Sequence, residues 1–290
     1  MLKTILIQFF HKIQLLKVLV LFGIISACIP GYSQGSLSSI TGDESELYAE
    51  TKQVNQFFKR FNNEEDRLGE RYYPGDSKYR DSEFRNVYLN MLFDLQNSNI
   101  DKDLKNKFIK DVTEIESPEF IDFHGGFWFA ELASTFTYYG ATENLLLFLQ
   151  LEDERLGSKW IITNVYFNKF LRNFYKGEDD VVDKSFLHPM SHELDFMNIY
   201  KAFKDNKYIE YYASQTFKPD YLTLLFYELK MGNMSYESIG QLKFHFFQID
   251  GWYFEVSYFN RSGNNSGWLI SKLYKIDEQD KEELIKFYLP

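Results

Sequence analysis

Twice along this chain the spacing of apolar residues changes from the three-and-four of a helix to the two of a strand. In the first passage Val54, Phe57, Phe58 and Phe61 fall on one stripe, which predicts a helix over 47–63. Phe84, Val87, Tyr88, Met91, Leu92 and Leu95 make a second stripe, and Leu104, Phe108 and Val112 a third on a helix near 102–113. None of these helices is apolar all round, so each lays one face on something else. From Gly126 to Tyr139 the period is two, with Trp128, Ala130, Leu132, Phe136 and Tyr138 on one side. Strands over 143–152 and 159–167 follow after short breaks at Gly140 and at 153–157, an antiparallel meander.

The second passage repeats the scheme. Phe196, Ile199, Tyr200 and Phe203 match the first stripe. Tyr221, Leu224, Leu225 and Leu229 match the second, behind Pro219, which suits a first helical turn. Strands are expected at 241–249, 251–260 and 267–275. The string Gly157-Ser158-Lys159-Trp160-Ile161-Ile162 aligns with Asn265-Ser266-Gly267-Trp268-Leu269-Ile270 at an offset of 108 residues. The charged stretch Lys176 to Lys184 separates the passages. The expected organisation is therefore α+β and duplicated, with one domain over 44–175, a linker over 176–187 and a second domain over 188–290. One large α+β domain with two similar parts is the alternative. Because both strand parities are apolar in places (Phe127, Phe129, Leu146, Phe148), each sheet is expected to be strongly curved, with helices on one side and a cavity or an interface on the other.

Helices followed by a bent antiparallel sheet, with Trp160-Ile161-Ile162 and Trp268-Leu269-Ile270 on late strands, resemble the NTF2-like (cystatin-like cone) superfamily over roughly 44–168 and 190–276. The resemblance implies a conical pocket between sheet and helices, used for catalysis or for a ligand, or else pairing through the open sheet face. It says little of function, because sites are grafted onto folds. The acidic dyads and Asp/His pairs of the catalytic members have no clear match here.

The first 27 residues carry Lys3, Lys12 and Lys17, no acidic residue, and an apolar run from Val18 to Ala27. That is the pattern of an export signal, and the run is shorter than the about 20 apolar residues that span a bilayer. Two cleavage sites compete. Ile25-Ser26-Ala27-Cys28 resembles a lipobox, which would make 1–27 the signal peptide, Cys28 the lipid attachment site and 28–43 a flexible tether. Cleavage after Tyr32-Ser33-Gln34, an ending that resembles those of exported proteins of the Bacteroidetes, would remove 1–34 and release the protein freely. The expected location is the periplasm, or the outer membrane by a lipid tether. Cys28 is the only cysteine, so no internal disulfide forms and the core alone must hold the fold. The 29 Phe, 21 Tyr and 4 Trp supply such a core. The formal charge of −10 becomes −13 once the three signal lysines leave. That sign argues against nucleic acid and against a polybasic grip on anionic lipid.

Chemistry-bearing residues are sparse. Asp122 and His124 stand two apart at the entrance to a strand, on one face, as a hydrolytic Asp/His pair would; the plainer reading is a turn of Asp122-Phe123-His124-Gly125-Gly126. His188 and His192 are four apart but lack the Glu placement of zinc proteases, and Ser191 reads as a helix N-cap. His245 reads as an ordinary strand residue. Glu131 and Glu152 on neighbouring strands, and Glu255, are the carboxylates to weigh for acid/base work. The acidic runs 152–154 and 178–180 lack the alternating ligands of a calcium loop. No metal ligand set and no cofactor motif is read. Tyr72, Tyr73, Tyr138, Trp252 and Tyr253 are the candidates for a ligand-binding aromatic surface. The sequence thus points to non-catalytic binding in the cell envelope, of a small or polymeric ligand or of another envelope protein. The alternatives are a hydrolase using Asp122 and His124, or a structural subunit of an envelope complex, which would form a stable oligomer.

Overall fold

The computed structural model describes residues 54–174, 203 and 206–289, apart from 67, 156, 215, 263 and 264. The signal segment, Cys28, the tether, the linker 176–187, the acidic run 178–180, His188 and His192 lie outside the described residues, as do Phe196, Ile199 and Tyr200.

A first helix, α1, runs through 54–61 and buries Val54, Phe57, Phe58 and Phe61, the stripe the spacing marks. It is followed by α2 (Ser82–Met91) and α3 (Lys102–Val112). Asp81 caps α2 by accepting from the amides of Glu83 and Phe84, and Asp101 caps α3 by accepting from that of Leu104. The meander is β1 (Trp128–Tyr138), β2 (Ala141–Glu154) and β3 (Gly157–Tyr166), with α4 (Asn168–Asn173) behind it. Tyr139 and Gly140, both at positive φ, make the two-residue turn between β1 and β2. After a 3-10 turn at Asn206–Tyr212 come α5 (Tyr221–Met231), β4 (Met234–Phe246), β5 (Trp252–Phe259), β6 (Gly267–Lys275) and α6 (Glu278–Tyr288). Pro219 lies just outside α5, whose N-cap is Asp220, and β4 starts seven residues earlier than the sequence pattern suggests.

The fold is α+β, but the expected pair of strongly curved sheets is not what forms. All six strands join one antiparallel sheet of order β3-β2-β1-β4-β5-β6 that is not strongly curled. The reason is the β1–β4 pairing, which runs from Trp128 opposite Phe246 to Tyr138 opposite Met234. Each three-strand meander would otherwise expose the first strand as an edge, and these two edges satisfy each other. No duplication is evident. Strands of 11, 14 and 10 residues face counterparts of 13, 8 and 9. Gly240 sits where β4 bulges, two of its residues standing opposite Ala133 of β1; a Cβ on Gly240 would stand 3.3 Å from the carbonyl oxygen of Ala133.

The main core lies on one face of the sheet, where Trp128, Phe244, Phe246, Trp252, Phe254 and Ile270 meet α1, α2, α3 and α5. The opposite face carries a smaller core of Phe129, Phe148, Phe247 and Tyr253, covered by Leu284, Ile285, Tyr288 and Leu289 from α6 and the residue after it.

The second helix departs from its stripe. Phe84, Val87, Met91 and the following Leu95 are exposed, and the buried residues are Arg85 and Leu89. The guanidinium of Arg85 donates to the carbonyl oxygens of Phe61 at 2.9 Å, of Val112 at 2.7 Å, and of Glu119. It also lies over the rings of Phe120 and Phe61. These carbonyls belong to the ends of α1 and α3 and to the chain leading to β1, so one side chain ties three segments together. With Arg85 inward, Phe84, Val87 and Met91 face outward, while Leu92 at the end of the stripe stays in the core. Burial, with Arg80 nearby, lowers the Arg85 guanidinium to about 10.

Candidate functional site

The five aromatics singled out in the sequence do not converge. Tyr72 is buried beneath the Lys78 ammonium while Tyr73 is exposed. Tyr138 packs against Phe167 and Phe170. Trp252 is in the main core, its Nε1 donating to Asp111 Oδ2 at 3.2 Å, and Tyr253 is on the opposite face.

Asp122 and His124 come close, but not as an acid/base pair. The Asp122 carboxylate accepts from the backbone N–H of His124 at 3.0 Å, the bond of an Asx turn. The imidazole Nδ1 instead meets Ser158 Oγ at 3.1 Å, and that hydroxyl donates to Asp153 Oδ1 at 2.8 Å. With its one proton directed at Asp153, Ser158 must accept from Nδ1–H. In that arrangement His124 donates toward the serine rather than accepting its proton. Both flanking groups are largely solvent-exposed. Glu131 and Glu152 do not pair either: Glu131 stands opposite Phe148, which places Glu152 four residues, about 13 Å, along the strand.

A cluster that sequence reasoning missed lies under α6. His245 Nδ1 is 2.8 Å from the Tyr253 hydroxyl, which donates to Glu255 Oε1 at 3.1 Å; Lys272 Nζ donates to the same oxygen at 2.9 Å. His245 Nε2 lies 3.2 Å from Glu131 Oε2, an ion-pair distance, and Lys243 Nζ stands 3.6 Å from the other Glu131 oxygen. The imidazole is stacked on Phe129, with Tyr288 tilted against it. Burial pushes the Glu131 carboxyl up, but His245 and the lysines 243 and 272 outweigh it and hold the group below the usual carboxylate value. Burial also raises the Tyr253 phenol well above its ordinary value, with Glu255 adding, and takes Tyr288 up to about 12. Burial would lower the Lys272 ammonium, but Glu255 beside it raises it on balance. The cluster is densely paired and filled by protein groups, so its chemistry is that of a fastening for α6. The signal in the sequence was parity: Tyr253 and Glu255, two apart, and His245 directly opposite Glu255.

Unpartnered polar groups gather elsewhere. A recess of about 450 Å³, counting space open to solvent, is lined by Arg60, Glu65, Tyr88, Met91, Leu92, Ser266, Trp268 and Leu269. Its walls are fixed by backbone bonds. The Ile270 amide donates to Leu92 O at 2.7 Å, and the Asp94 amide donates to Ile270 O at 3.0 Å, joining the end of α2 to β6. The Asn265 side chain reinforces this by donating to Phe93 O at 2.7 Å and accepting from the Leu95 amide at 3.0 Å. The 62–81 loop that carries Glu65 is pinned at both ends, with Arg80 N donating to Asn63 O and Asn63 Nδ2 to Lys78 O. Glu65 is 2% exposed, and its two oxygens each stand 3.7 Å from a guanidinium nitrogen, of Arg60 and of Arg71, too far for a hydrogen bond. Arg60 Nε, Glu65 Oε1 and Trp268 Nε1 are buried and have no hydrogen-bond partner. Each such group costs about 1–3 kcal/mol when left unmet.

No family model, curated protein or solved structure matches this chain. Among the described residues no group of three or more His, Cys, Asp or Glu is placed to hold a metal ion, and no helix is long and apolar enough to cross a membrane.

Proposed function

We propose that this chain is a non-catalytic binding protein of the cell envelope, and that the Trp268 recess is its ligand site. The observation that carries the reading is that three buried polar atoms without partners, one acceptor and two donors, all belong to residues lining one recess. Buried polar groups are retained unpaired where something else completes them. A test is thermal unfolding with and without a small-molecule extract of the producing cells' envelope. A ligand that binds only the folded state raises Tm. Wild type should rise by several degrees and Glu65→Gln by far less; no rise in wild type, or equal rises, contradicts the reading.

The exposed stripe of Phe84, Val87 and Met91 on α2 favours a second reading, because Met91 also lines the recess. On that reading an envelope protein docks along α2. Val87→Glu would then release the partner on gentle extraction while leaving the response to small ligands intact.

The export signal and a lipid on Cys28 belong to the same proposal. A Cys28→Ser variant is expected to leave the membrane fraction for the soluble one; unchanged partitioning would favour cleavage before Gly35. Kinship with the NTF2-like superfamily rests on the two tryptophan strings alone, which lie on β3 and β6, the outer strands of a sheet that is not strongly curled.

A further inference from the structure

We draw no further inference here: the strongest candidate, the exposed patch of Tyr139, Tyr227 and Met231 where the turn between β1 and β2 meets the end of α5, has the Tyr139 hydroxyl and Glu228 already bridged by Asn233, and nothing in the structure shows what covers it.

Discussion

Arg85 shows how much one side chain can decide. Three carbonyl oxygens from three segments end on its guanidinium, and buried bonds to a charged donor are worth more than neutral ones. Arg85→Met should therefore lower stability by about 3–5 kcal/mol, because it leaves those carbonyls without a donor. Urea unfolding would show it, and Arg85→Lys should recover only part. Glu131 makes a pH prediction. Its folded-state value lies below the ordinary carboxylate value, so its contribution is complete above the ordinary value and is lost as pH falls through the lowered one. Unfolding followed from neutral pH down to about pH 3 should be less pH-sensitive in Glu131→Gln, which is also expected to cost about 1–3 kcal/mol at neutral pH. An unchanged acid limb would detach Glu131 from the cluster. At this scale the sequence was least legible. Arg85 is an ordinary polar position on a helix until the carbonyls around it are known. The unpartnered state of Glu65 and Trp268 is a property of three dimensions, with no trace in spacing.

Elements were legible where one face meets one neighbour. The stripes of α1 and α3, and the strands of both meanders, follow from period and caps because burial there asks only for apolar side chains. The second helix was misleading for the reason just given: with Arg85 buried, Phe84, Val87 and Met91 of its stripe face outward and only Leu92 is buried. Two substitutions separate the alternatives. Leu89→Ala should cost about 2–5 kcal/mol as a core truncation, whereas Val87→Lys should stay within about 0.5 kcal/mol of wild type. A large loss from Val87→Lys in the isolated protein would mean that this face is covered. The last helix, α6, left a readable signal in Asp277 as N-cap and in Leu284, Ile285 and Tyr288 on one side. It has no buried residue of its own and is held chiefly through Tyr288 and the polar cluster. Tyr288→Ala should accordingly speed amide hydrogen exchange in α6 at least tenfold while β1 and β4 stay protected.

At the scale of the whole molecule, the class was readable and the assembly was not. Two helix-to-meander passages predict α+β, yet nothing in either passage says that the first strand of one will pair with the first strand of the other. That pairing is a matter of mutual edge satisfaction, and it places the recess at the far side of the sheet from the first meander, where β6 meets the end of α2. On the proposal made above, this recess holds a ligand in the cell. Native mass spectrometry of the mature protein, released gently from its own envelope, tests it most directly. Wild type should carry a defined extra mass that disappears on unfolding and that Glu65→Gln and Trp268→Phe carry at much lower occupancy. A bare monomer mass, or the same adduct at equal occupancy in all three proteins, would contradict the claim.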